Sequence, residues 1–435
     1  MKEGRKSLVV GMVLVVLLVL CSGAAWSGGG QEGGAAAKMT TVKVILFAGG
    51  EASAARKAFE KFNTQYSQQM GIRVESEEFG RDTYYDKMGS LLLTKSKDFD
   101  ALMMLSSWLS TYAAAGVVEP LDGYVSNKKL LKYNFADFLP RAVDTCKYKG
   151  KLYGLPYVTS SQFMMYRADY IKDASVLSTT QGVYDTAKRF TQRYNSSSPT
   201  KYGFAMQGKM VTYQFANWLW AFGGDFIVEG KPVFNSPAGV QALTFIRKLI
   251  AEGLVPDDWS SYEYPQINDG LKTGAVGFAQ QWDAGIFDLK ATLGDKIAVA
   301  DFPQGPTGAK GAYIHCWQFW INGSAANKQE AFKVLSWLLL DPESYAILGE
   351  EVPLSTTKVL GGSTYQGKTP SWASLYNNVQ VGRFFPNVVS WGEVMEKLHV
   401  FLQKAYAGEL SPKDALDQAA AEATRIMKKN NEYTE

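Results

Sequence analysis

The stretch GKLYGLPYVTSSQFMMYRADY, Gly150 to Tyr170, decides how this chain is read. Tyr148, Leu152 and Tyr153 flank a Lys149-Gly150 turn, and Gly154 and Pro156 then punctuate an otherwise strand-forming run, so a hairpin feeds an extended segment. Pro156 has no N–H to give a sheet ladder. Past it, the small polar run Val158-Thr159-Ser160-Ser161-Gln162 gives way to apolar Phe163-Met164-Met165-Tyr166, the pattern of an exposed strand mouth running into a buried strand. The segment reads as a strand that leaves one globular half and enters another, and a mouth of that kind can hold a ligand.

The rest of the chain agrees with two halves. Its 435 residues exceed what one hydrophobic core organises. With 11 Trp, 23 Tyr and 23 Phe, not every ring need lie in a core, and some are expected to face a ligand. The net charge of +3 is spread without a basic block, which speaks against a phosphate-neutralising surface for nucleic acid. Only His315 and His399 are present, and Cys146 and Cys316 lack metal-ligand spacing, so neither a metal nor another cofactor is expected.

Lys2, Arg5 and Lys6 precede the apolar run Leu8 to Leu20, the layout of a secretory signal. Leu18-Val19-Leu20-Cys21 resembles a bacterial lipobox, with Leu20 where Gly, Ala or Ser is usual; ordinary cleavage after Ala24 or Ala25 is the rival. The expectation is a lipoprotein-type signal over 1–21, acylation of Cys21, and a flexible tether over 22–40 that includes SGGGQEGGAAA, Ser27 to Ala37. The protein is thus expected outside the cytoplasm, touching a membrane only through that anchor. In such an oxidising compartment, Cys146 and Cys316 form either a disulfide or two buried free thiols.

Along the chain, Thr41 to Phe47 reads as a first buried strand, Ala54, Phe59, Phe62 and Tyr66 mark a helix, and Ile72-Arg73-Val74 opens a second strand. In such βαβ order ligands lie beyond the carboxyl ends of strands, which points at Glu51. Its alternative role is an acid interacting with the helix dipole. A helix over Asp82 to Leu93 and a strand over Asp98 to Met104 lead to Ser106-Ser107-Trp108, so Trp108 is a ligand candidate by position. In the aromatic helix Phe215 to Asp225, Trp218 and Trp220 fall on different faces, so that one can be core while the other points elsewhere. Phe234 to Pro256 is a helix capped by Asn235 or Ser236, with Pro237 in its first turn and Gly253 at its end. Gly311 to Ile321 reads as a second crossing strand.

Gly150, Tyr153, Gly154 and Pro156 resemble the Gly-x-x-Tyr-Gly-x-Pro hinge element of the extracytoplasmic solute-binding proteins that serve ABC importers, in their sugar-binding cluster. Further stretches match in family order: Gly116 to Asp122, Phe234 to Pro256, Lys272 to Phe278 with Gln280 to Asp283, Phe332 to Leu340 ended by Asp341-Pro342, and Gly408-Glu409-Leu410-Ser411. The chain departs at Tyr166-Arg167, where Tyr-Asn or Tyr-Asp is usual, a position assigned to a lobe surface. The resemblance implies an α/β fold of two lobes, each with a central mixed β-sheet flanked by helices and joined by hinge crossings, the periplasmic-binding-protein-like type II arrangement. The expected lobes are 41–156 with 317–372, and 157–316 with 373–435.

What the resemblance implies for function is a monomeric binder, not an enzyme, that captures a sugar, oligosaccharide or polyol and delivers it to an ABC transporter permease. Sugars present flat C–H faces and a rim of hydroxyls, so their sites combine rings with paired donors and acceptors. The stacking candidates are Trp108, Tyr157, Trp220, Trp282 and Trp317; the hydrogen-bonding candidates are Glu51, Thr159, Gln281, Asp283 and His315. Two alternatives stay open: an exported carbohydrate-active enzyme using Glu51 and Asp283 as its carboxylates, and a sensory sugar-binding subunit.

Overall fold

Thr40–Phe47, TTVKVILF, forms strand β1, exposed only near its start and wholly buried from Val44 onward. The computed structural model describes residues 39–367 and 369–435. The expected export signal and Cys21 lie outside the described residues, as does the expected tether up to residue 38. No helix among the described residues is long and apolar enough to cross a membrane.

β1 lies between two parallel neighbours, β2 (Ile72–Phe79) and β3 (Ala101–Leu105), in registers that place Thr40 beside Ile72 and Val44 beside Ala101. Two small hairpin strands follow, β4 (Lys147–Tyr148) and β5 (Lys151–Leu152). Lys149 and Gly150 between them both take positive φ, 47° and 79°, the requirement of the two-residue turn read from the sequence. The remaining strands are β6 (Gly154–Arg167), β7 (Tyr202–Ala205), the short pair β8 (Ile227–Val228) and β9 (Lys231–Pro232), then β10 (Val276–Trp282), β11 (Ile297–Ala300) and β12 (Ile314–Ile321). The large mixed sheet runs β2-β1-β3-β12-β6-β10-β7, with β11 also on β6.

β6 is the joint of this sheet. Gly154 to Ser161 pair with β12, whereas Gln162 to Tyr166 pair with β10 and Met164 to Arg167 with β11. The strand therefore exchanges partners between Ser161 and Gln162. Pro156 faces Gln318 where the β6–β12 register shifts, since a residue without an N–H is tolerated at such an irregularity. The hydrophobic cores divide at the same place. Phe163 belongs to a first core built from residues between 42 and 163 and between 316 and 379. Met164 belongs to a second, drawn from 164 to 313 and from 385 to 427. Met165, pointing to the opposite face, joins a smaller cluster with Ile267, Leu271 and Ile286.

Three sequence expectations need correction. The polar run Val158 to Gln162 is not an exposed mouth but buried throughout, because its side chains find partners inside, Thr159 at Ser355, Ser160 at Asp283 and Gln162 at Asn217. Arg167 is buried rather than on a surface: its guanidinium is forked onto Asp169 at 2.6 and 2.8 Å and reaches the Leu271 carbonyl at 3.0 Å. Trp218 and Trp220 are both buried, because the whole helix Val211–Ala221 is enclosed, as expected of a helix apolar on all sides. The helix Pro237–Ala251 is capped by Ser236, whose hydroxyl accepts from Gly239 N; Asn235 instead donates to Asp417 at 2.9 Å.

Candidate functional site

Two carboxylates lie near the joint of the sheet, close enough for one to act on the other through its charge. Glu51 stands in the first turn of the helix Gly50–Gln65, directly beyond β1, and is half-buried. Asp283 is the first residue beyond β10, and its backbone N–H donates to Ser161 O at 3.0 Å. Its Oδ1 accepts from the Ser160 hydroxyl and from Ser161 N at 3.2 Å. Burial pushes the Asp283 carboxyl up to about 7; the bonds from Ser160 and Ser161 pull it down, and the Glu51 charge adds to the rise. The sheet thus brings an acid fixed by the first core within electrostatic reach of an acid fixed by the second.

A run of aromatic rings crosses the same joint. Trp108, at the end of the turn Ser106–Trp108, stacks on Tyr85 with centroids 5.7 Å apart. Tyr85 lies 5.8 Å from Phe47, and Phe47 lies 4.8 Å from Trp317. Trp317 meets His315 edge-on at 6.4 Å, His315 meets Trp282 at 4.7 Å, and Trp282 meets Tyr213 at 6.1 Å. Phe47 and Trp317 belong to the first core and Tyr213 to the second, while His315 sits on the crossing strand β12 between them. Trp282 is only partly buried and holds Gln207 Oε1 through its indole N–H at 3.4 Å. Burial pushes the Tyr213 phenol up to about 12, and the Ser107 hydroxyl beside it pulls the other way. A cavity of about 130 Å³ adjoins the band, lined by Ser107, Arg141, Tyr313 and Phe385 among others.

The structure therefore gathers six of the ten candidates: Glu51, Trp108, Trp282, Asp283, His315 and Trp317. The other four have structural partners. Tyr157 is fully buried, its hydroxyl donating to Glu51 O at 2.8 Å and its ring against Phe319. Thr159 shares a hydrogen bond with Ser355 at 2.7 Å. The Gln281 amide donates to Tyr264 O and Asn268 Oδ1, turned away from Trp282 by the alternation of the strand. Trp220 packs on Phe226 and Tyr313 and donates to Asp225 Oδ1 at 3.2 Å.

Tyr85, Tyr213, Phe47 and Ser160 were not singled out by sequence. Tyr213 lies two residues before the aromatic stretch read from Phe215, inside the helix Val211–Ala221 that begins earlier than the sequence reading placed it. For Tyr85 there was no signal: its neighbour Tyr84 is the same residue type, yet turns inward and bonds Met103 O.

Residues 55–359 match the family described as bacterial extracellular solute-binding protein. A binding protein of Brucella abortus (strain 2308) is 26% identical over 380 residues, spanning 86% of this chain and 89% of its own length. The galactooligosaccharide-binding protein of Bacillus subtilis (strain 168) is 21% identical over 341 residues, 76% of this chain and 77% of its own. Among solved structures, maltose-bound T. maritima MalE3 superposes with a TM-score of 0.79 at 22% identity, over 89% of this chain and all of that one; this likeness bears on the fold. On the strength of the match across residues 55–359, the chain belongs to the bacterial extracellular solute-binding proteins.

Proposed function

We propose that this chain captures an uncharged sugar, oligosaccharide or polyol between two lobes and hands it to the membrane permease of an ABC importer. The observation that carries the reading is the band from Trp108 to Tyr213, which crosses from one core to the other with Glu51 and Asp283 at its crossing point. Rings accept the C–H face of a sugar and the carboxylates accept its hydroxyls. Glu51 and Asp283 together disfavour an anionic ligand. The names of the B. subtilis and T. maritima proteins support a carbohydrate.

The lobes follow the two cores. The first takes residues 41–163 and 316–379, because Leu375 and Val379 pack with it, and the second takes 164–315 and 385–435. Closure bends β6 near Ser161 and β12 near His315, and the second lobe then excludes water from the ligand. Acylation of Cys21 would hold the protein at the outer face of the membrane.

A glycan-cleaving enzyme is the second reading, favoured by one observation: a carboxyl raised to about 7 beside a second carboxylate. Against it, Asp283 Oδ1 is engaged by Ser160 and Ser161. Thermal-shift titration with mono-, di- and oligosaccharides and polyols, with each stabilising compound recovered and chromatographed, separates the two. A ligand recovered intact supports capture, and a cleaved one overturns it in favour of the enzyme.

A further inference from the structure

Outside the aromatic band, the thiols of Cys146 and Cys316 form a cluster of reactive groups, among the described residues, that the proposed site leaves unused. Both are fully buried and unbonded covalently; Cys146 Sγ donates to Ala142 O at 3.5 Å and Cys316 Sγ to Trp317 O at 3.2 Å, with each sulfur within electrostatic range of the other. They come from distant parts of the chain. Cys146 ends the helix Pro140–Thr145 just before β4, and Cys316 lies on β12, beside Thr159 of β6. The surroundings hold the two segments together independently of the sulfurs. The Gln318 amide of β12 donates to Thr145 O at 2.9 Å and lies 3.0 Å from Thr145 Oγ1. Ser355 and Thr145 bring hydroxyls to 4.0 Å from Cys316 Sγ and 3.9 Å from Cys146 Sγ.

We propose that Cys146 and Cys316 are the two halves of a disulfide that closes when the protein matures outside the cytoplasm, where thiols are oxidised. In the step, two S–H bonds break and one S–S bond forms. Two electrons and two protons pass to an oxidant of the disulfide class, such as oxidised glutathione, which departs as two thiols. Burial pushes the Cys146 thiol up. Burial acts on Cys316 in the same direction, but hydrogen bonds from Cys146, Thr159 and Ser355 outweigh it and bring that thiol down. The cross-link fixes β12 to the helix before β4 from Cys316 onward and leaves His315 and the residues before it free to bend. This proposal does not depend on which ligand is bound.

The test uses the full chain exported into an oxidising compartment. The protein is unfolded in guanidinium chloride with iodoacetamide and no reductant, digested, and mapped by mass spectrometry. The expected result is a single linked species carrying the Cys146 and Cys316 peptides without alkylation, each gaining one carbamidomethyl group after dithiothreitol. Two alkylated peptides before reduction would overturn the proposal. Thermal melts give a second readout: reduction lowers Tm by several degrees in the native sequence, whereas the double variant Cys146→Ser, Cys316→Ser melts alike with and without reductant. An unchanged Tm in the native sequence would contradict a stabilising cross-link.

Discussion

The Ser160 hydroxyl donates to Asp283 Oδ1, and this bond ties the residue just beyond β10 to the strand that crosses the molecule, one position before that strand exchanges partners. The bond makes the acid part of the joint rather than a free surface group, while the burial that comes with it sets the sign of a pH effect.

An aspartate raised from 3.8 to about 7 on folding keeps its proton in the native state while the unfolded chain has already lost it. Stability from this group is thus greatest below pH 4, falls by up to about 1.4 kcal/mol per pH unit as pH rises towards 7, and is level above that. Asp283→Asn removes the penalty and keeps an acceptor for Ser160. Urea unfolding of both proteins at pH 5 and pH 8 is expected to show the variant gaining on the native chain at the higher pH. Parallel pH profiles would rule the raised carboxyl out.

Trp282 and Trp220 separate binding from folding. Trp282→Ala is expected to weaken the ligand about tenfold or more with little loss of Tm, because the ring is part-exposed in the band. Trp220→Ala empties a core and is expected to cost about 3–5 kcal/mol, with affinity retained in the folded fraction. Calorimetric titration beside thermal melts reads both; equal affinity losses would remove Trp282 from the site.

Adjacent tyrosines make a sharper pair. Tyr84→Phe deletes the buried hydrogen bond to Met103 O and should lower stability by about 1–2 kcal/mol without touching affinity. Tyr85→Ala strips the ring that stacks on Trp108, and affinity should fall by about tenfold. The reverse assignment of the two effects would place the ligand elsewhere.

Glu51→Gln tests the pairing of the two acids. Removing its charge lowers the Asp283 carboxyl towards the ordinary range, so the midpoint of any pH dependence of ligand affinity should shift to lower pH. A midpoint that stays put would show that Glu51 does not act on Asp283.

The crossing strand was legible because its residues speak locally. Lys149-Gly150 forms the tight turn with positive φ that its residues favour, and Pro156 sits where the ladder is irregular, whereas the polar run before Phe163, read as an exposed mouth, is buried throughout. Glu51 and Trp108 were legible by position, since both follow strands. The side-chain partners were not. Thr159 and Ser160 are adjacent and chemically alike, yet one is taken up by Ser355, far along the chain, and the other by Asp283. Arg167 was misplaced for the same reason: the Leu271 carbonyl that receives it is invisible until the chain has folded. Periodicity tells which face a residue occupies, but not which distant element covers that face.

The crossing topology also governs when folding can finish. The first core needs residues between 316 and 379, and the second needs residues up to 427. A chain emerging N-terminus first can therefore complete the first core only once residue 379 is out, and the second only with its last helix. Contacts of such long sequence separation delay folding, so most of the chain must be available before either core can close.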